Sequence, residues 1–293
     1  MLVESFLRYI RYEKNLSTHT VLSYKNDLFQ FKAFLETLEP GCELQQVTPE
    51  QVREWIASLS EDGLTARSIS RKVSSLRAFY RYLVSQSVVA GSPVNDVRVP
   101  RVRKKLPVYL RRDTMDELLD DVSYGDDLEG VRNKLIIEMF YNTGIRRAEL
   151  IGLKDEDVRE GEIKVTGKRN KQRLVPYGAE LAELIADYRR MRSEAGLGDA
   201  EYFFIRKSGE PLYPQLVYRV VKQALSQVCT LEKRSPHVLR HTFASVMLNN
   251  GAGLNSVKEL LGHHSLASTE VYTHITFEEL KQSYNQAFPQ RKP

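Results

Sequence analysis

The segment from Arg98 to Arg112 places the tightest limit on how this chain can fold. It carries seven basic residues, no acidic residue, and prolines at 100 and 107. Proline lacks the backbone N–H that a helix interior needs and pushes its predecessor toward extended backbone, so no helix runs through this stretch. An extended linker over 98–112 is predicted, dividing the chain into blocks 1–97 and 113–293. Of the 293 residues, each block holds enough to bury its own core. Arg101, Arg103, Lys104 and Lys105 would run along a polyanion, and the formal net charge of +5 suits such a partner.

The first block reads as a small helical bundle. Leu2 to Glu13 carries Phe6, Leu7 and Ile10 at helical spacing. Ser17 is placed to cap a run through Leu35, and Thr48-Pro49-Glu50-Gln51 opens another through Leu59. From Thr65 to Ser85, Ile69, Val73, Leu76, Tyr80 and Leu83 form an apolar stripe. Arg67, Arg71, Arg77 and Arg81 gather on the opposite face beside Ser70, Ser74 and Ala78. Four arginines with small neighbours and no acid between them suit close approach to DNA, the bland alternative being a solvated face.

The second block concentrates chemistry. Five of the six histidines fall beyond residue 236, in Pro236-His237-Val238-Leu239-Arg240-His241, Leu261-Gly262-His263-His264 and Tyr272-Thr273-His274. On a helix entered at Pro236, His237 and Arg240 share a face. A guanidinium fork and an imidazole side by side suit a phosphodiester; taken alone, the pair also fits a capping histidine beside a solvated arginine. Upstream, Thr143-Gly144-Ile145-Arg146 sets a cation at a helix start, where the macrodipole disfavours it unless an anion is shared. The alternative is a surface pair between Arg146 and Glu149. Glu162 to Pro176 alternates on both sides of a glycine and asparagine turn, which predicts a β-hairpin with Lys168 at a cationic tip.

The order T-G-x-R-x-x-E-L, hairpin G-K, H-x-x-R-H, L-G-H and Y-T-H resembles the tyrosine recombinase, or phage integrase-like, family over essentially the whole chain. Compact size and the lack of an arm-binding segment before residue 1 make the Xer-type site-specific recombinases the most similar members. The resemblance implies a mainly α fold: a SAM-like core-binding domain, then a mostly helical mixed α/β catalytic domain with a small β-hairpin or sheet. By position it implies that Arg146 and Arg240 clamp the phosphate and that His263 adds a hydrogen bond. His237 would take the tyrosine proton or bond the phosphate. Lys168 would be the general acid, and Tyr272 the nucleophile that forms a 3′-phosphotyrosine.

On this reading no metal or other cofactor is expected, because arginines take the metal's part. His237 and His241 have the spacing of zinc ligands, but Val238 stands where a zinc protease carries its glutamate. The implied partners are duplex DNA with paired half-sites and a homo- or hetero-tetramer, with a second recombinase and a DNA translocase as further candidates. Dimer resolution of chromosomes is the implied role; a mobile-element integrase or type IB topoisomerase-like relaxation is the alternative. The stripe Phe277, Leu280, Tyr284 and Phe288 is expected to pack on a neighbouring subunit. Cys42 and Cys229 offer no disulfide or metal framework, and no signal peptide or membrane-length apolar run is present. A cytoplasmic, nucleoid-associated protein is therefore expected.

Overall fold

Side-chain caps set the starts of the N-terminal helices. In the computed structural model, which describes residues 1–100, 108–167, 170–262 and 276–288, α1 (Leu2–Arg8) runs on as a π-helical turn through Glu13. Helix α2 (Thr18–Leu38) starts where Ser17 Oγ accepts the Thr20 N–H at 3.3 Å. Helix α3 (Pro49–Glu61) opens on a reciprocal cap: Thr48 Oγ1 accepts from Gln51 N, and Gln51 Oε1 accepts from Thr48 N. At the start of α4 (Ala66–Ser85) the cap is one-way, Thr65 Oγ1 accepting the Ser68 N–H at 3.3 Å. Each such cap contributes about 1 kcal/mol.

The predicted stripe of α4 is fully inside: Ile69, Val73, Leu76, Tyr80 and Leu83 are each at most 1% exposed, packed with Leu28, Phe31 and Val52. The Tyr80 hydroxyl remains satisfied there by donating to the Leu44 carbonyl at 2.9 Å. Val94 and Val97 close this core, and Val99 packs against it.

The chain divides into two units, Met1–Lys105 and Leu106–Pro293. The expected linker 98–112 is too wide at its C-terminal end. Leu110 is buried in the second core and its N–H donates to Thr242 Oγ1 at 2.9 Å, and α5 (Arg112–Asp116) already begins at the last linker residue. Of that linker, Arg101, Arg103, Lys104 and Lys105 lie outside the described residues.

The second unit is built round α6 (Leu128–Thr143), whose residues from Leu135 to Thr143 are all buried, as expected of a helix covered on every side. Helices α8 (Ala179–Glu194), α9 (Pro214–Val228) and α10 (Pro236–Asn249) surround it. Gly144 ends α6 in the left-handed region at φ 59°, and the short α7 (Arg147–Ile151) follows at once. Strands β2 (Glu162–Thr166) and β3 (Gln172–Pro176) pair antiparallel as the hairpin predicted, with Val165 opposite Arg173. A short strand that periodicity does not mark, β1 (Val158–Arg159), completes a three-stranded sheet in the order β1-β2-β3. No helix among the described residues is long and apolar enough to cross a membrane.

The tail corrects an expectation. Helix α12 (Phe277–Ala287) buries its stripe within its own chain: Leu280, Tyr284 and Phe288 are 6%, 1% and 5% exposed. Phe288 meets Tyr141 and Phe243 at ring separations of 5.1 and 5.7 Å, and Asn250 Nδ2 donates to the Ala287 carbonyl at 2.6 Å. The apolar face needed a partner, and α10 with β3 supplies it.

Candidate active site

A helix end leaves its last carbonyls without intrahelical donors. At the end of α11 (Leu254–Leu261) three of them are taken by arginines from three different elements. Arg173 Nε donates to Leu260 O at 2.7 Å, Arg240 Nη2 to Leu261 O at 2.6 Å, and Arg146 Nη2 to Gly262 O at 2.9 Å. The negative end of the helix dipole favours all three cations. Gly262 caps the helix at φ 61°, and a Cβ there would lie 3.1 Å from Arg173 Nη1 and 3.4 Å from Arg146 Nη1, so backbone strain and lack of room both select glycine. Gly144 meets the same demand opposite, its carbonyl accepting from Arg240 Nη1 while Phe243 fills the space a Cβ would need.

Glu149 holds the cluster together. It is buried, and each carboxylate oxygen takes one bond from Arg173 and one from Arg146. Oε1 accepts Arg146 Nη1 at 2.8 Å and Arg173 Nη1 at 3.0 Å; Oε2 accepts the Arg146 backbone N–H at 2.7 Å and Arg173 Nη2 at 2.9 Å. Burial alone would raise its pKa, but hydrogen bonds and charge from Arg173, then from Arg146, bring it down to about 2. The pair of Arg146 and Glu149 is thus no surface pair.

Three guanidinium groups against one carboxylate leave a cationic excess in a largely enclosed place. Arg240 feels it most: it is 5% exposed, and burial with the charge of Arg146 pushes its pKa down to about 9. A cation held so far from its ordinary range is one that an arriving anion stabilises. Arg146 and Arg240 each commit two side-chain donors to these bonds, out of the five a guanidinium offers, which leaves N–H groups for phosphate oxygens.

His237, on the first turn of α10 behind Pro236, stays exposed, while partial burial and the charges of His241, Arg240, Arg147 and Arg146 depress its pKa. That direction favours the neutral imidazole, the form that accepts a proton. Ser235 occupies the cap position of α10 without a side-chain cap bond. His241 is likewise exposed and depressed by burial and Arg240.

Lys168, His263 and Tyr272 lie outside the described residues. Their neighbours in sequence are informative: Gly262 is part of the arginine cage, and a Cβ on Gly167 would stand 3.4 Å from Glu149 Oε1. Tyr284 of α12 is enclosed, and burial with the neighbouring Tyr141 drives its pKa far up, which disfavours a phenolate there.

Sequence reasoning missed Arg173 and the central place of Glu149. Strand alternation held the signal: Arg173 is the cross-strand partner of buried Val165, so an arginine at an inward-facing position required an acid within.

In the N-terminal unit, the four arginines of α4 differ in their partners. Arg67 and Arg81 are exposed, but Arg71 grips buried Asp27 of α2 with both terminal nitrogens, and Arg77 Nη2 donates to the Val97 carbonyl at 3.1 Å. Lys72 and Ser75 complete the shell of Asp27 at 3.1 and 2.7 Å. Burial would raise the Asp27 carboxyl, yet bonds from Arg71, Ser75 and Lys72 hold it below its ordinary value. The acid absent from α4 itself comes from α2.

Residues 108–279 match the phage integrase family and residues 3–87 its N-terminal SAM-like domain. Tyrosine recombinase XerC of Chlorobaculum tepidum is 36% identical over 97% of this chain and 93% of its own length, and XerC of Oceanobacillus iheyensis is 38% identical over 98% and 95%. Among solved structures, XerH recombinase bound to its difH substrate aligns with a TM-score of 0.69 at 23% identity, covering 96% of this chain and 83% of that one. A lambda integrase dimer on a core site aligns at 0.70 and 17% identity, covering 93% and 98%. A Cys- or His-based metal cluster is not found among the described residues, and the arginine cage sits in the span matched by the family. The chain belongs to the phage integrase family of tyrosine recombinases.

Proposed function

We propose that this chain is an Xer-type site-specific recombinase that cuts and rejoins duplex DNA through a tyrosine, with Arg146 and Arg240 holding the scissile phosphate. The observation that carries this is the cationic excess at the end of α11, immediately before the segment that contains His263 and Tyr272. The Tyr272 hydroxyl attacks phosphorus, the bond from phosphorus to the 5′ oxygen breaks, and a 3′-phosphotyrosine forms. Neutral His237 accepts the phenolic proton, since a free tyrosine with a pKa near 10 attacks poorly at pH 7. Lys168 returns a proton to the departing 5′ oxygen. Arg146, Arg240 and His263 offset charge on the non-bridging oxygens as the pentavalent transition state forms, without a metal ion.

Because the phosphotyrosine retains the energy of the diester, a 5′ hydroxyl from a partner strand attacks it, the tyrosine leaves, and strands exchange through a four-way junction without ATP. Residues 1–97 serve as the core-binding domain, with Arg67 and Arg81 of α4 on the phosphate backbone, and Arg101, Arg103, Lys104 and Lys105 continue the contact. The protein works as a tetramer on paired half-sites in the cytoplasm, on the nucleoid, with a second recombinase and a translocase as partners, and resolves chromosome dimers.

The test is to recover DNA crosslinked to the chain in cells and return it to the purified protein. Junction formation and exchange between two copies of the recovered site are expected. Relaxation of supercoils on DNA without that site, with no exchange, would instead mean a topoisomerase-like activity.

A further inference from the structure

We infer that Arg173 is a positioning residue of the phosphate clamp, which occupies Glu149 so that this carboxylate does not draw Arg146 away from DNA. The inference rests on the recombinase reading above and concerns a residue that takes no part in that chemistry. Glu149 is enclosed, with a side chain 4% exposed, and its two cationic partners approach from opposite elements: Arg146 from the start of α7 and Arg173 from β3. With both present the triplet carries a net positive charge, and Arg146 can be shared with an incoming phosphate. Without Arg173, a buried carboxylate would retain Arg146 as its one cation among these partners, and a buried charge left with one partner holds that partner hard.

The geometry fixes which residue can do this. Arg173 sits opposite Val165 in the hairpin register, its two terminal nitrogens grip both oxygens of Glu149, and its Nε reaches Leu260 O. A planar fork with a third donor behind it makes all three bonds at once, which a lysine does not. The same side chain ties the strand after Lys168 to the helix end before His263. Removing it therefore affects charge and placement together, and the test has to separate them.

Single-turnover cleavage of a nicked site should be followed for wild type, Arg173→Ala, Glu149→Gln and the double variant, with circular dichroism confirming a folded catalytic unit. Arg173→Ala should slow cleavage about tenfold or more, while in the Glu149→Gln background the same change should cost no more than about threefold, since directly interacting residues are not additive. A purely structural role predicts the same slowing in both backgrounds, and that result, or a wild-type rate for Arg173→Ala, overturns the inference. Should Arg173→Ala fail to fold, Arg173→Lys and Arg173→Gln take its place: faster cleavage by the charged variant supports charge balance, and equal or slower cleavage overturns it. An absence of covalent adduct in wild type itself would overturn the recombinase reading and this inference with it, and is recognised because it needs no variant.

Discussion

Replacing Glu149 by glutamine tests whether a single carboxylate organises the arginine cage. The ordinary carboxyl pKa of 4.5 falls to about 2 in the folded chain. At 1.36 kcal/mol per pH unit this gap corresponds to about 3 kcal/mol of stability. The folded pKa is depressed, so the contribution is fully present above the unfolded value of 4.5 and is lost as pH falls toward 2. Glutamine has nearly the shape of a protonated glutamate and lacks the charge. Glu149→Gln should thus be about 3 kcal/mol less stable at pH 7 and only about 1 kcal/mol less stable at pH 3. Urea unfolding followed by far-ultraviolet circular dichroism between these pH values measures the difference. The chain provides its own control: its one tryptophan, Trp55, is buried in the N-terminal unit, so its fluorescence transition should be the same in both proteins. A stability difference that stays constant with pH would mean that the loss comes from packing, and that the carboxylate charge does not hold the cage.

Other consequences follow from the same geometry. Arg67→Ala with Arg81→Ala should lower the salt slope of DNA binding by about one for each phosphate no longer neutralised and leave unfolding unchanged; Arg71→Ala should also destabilise the N-terminal unit, because it strips a buried Asp27 of its bidentate partner. A variant of Arg71 that unfolds like wild type in a Trp55 fluorescence titration would contradict the role given to Asp27. Phe288→Ala should cost the catalytic unit about 3–5 kcal/mol, as large-to-small changes in a core do, and truncation after Thr276 should destabilise the isolated monomer; an unaltered monomer after truncation would place the tail on a neighbour after all. DNA cleavage should persist in excess EDTA, and activity that vanishes with chelator and returns with magnesium or zinc would contradict charge neutralisation by arginine.

Local signals are legible in the sequence wherever one element suffices to produce them. The stripe of α4, the capping residues Ser17 and Thr48, and the hairpin from Glu162 to Pro176 each depend on spacing within a short window, and each is present where the pattern places it. What fails depends on a second element distant in sequence. Arg71 reads as a cation without an acid, because Asp27 stands 44 residues away on α2. A surface pair between Arg146 and Glu149 stays open as an alternative in the sequence, because nothing local shows Arg173 and the end of α11 closing over them. The tail stripe is apolar as expected, and spacing alone says that such a face must be buried without saying against what. Within the site, the motif order marks Arg146 and Arg240 as a pair, while the carbonyls that hold them, from Gly144, Leu261 and Gly262, come together only in the folded chain.

In the proposed mechanism the arginine cage presents a phosphate to Tyr272. A duplex nicked beside the cleavage point, so that the short strand diffuses away, should trap the wild-type chain as a covalent adduct, and peptide mass spectrometry should find the nucleotide on Tyr272. Tyr272→Phe should bind the same duplex with unchanged affinity, since only one hydroxyl is removed, and form no adduct. An adduct that persists in Tyr272→Phe, or that maps to any other residue, would contradict the account.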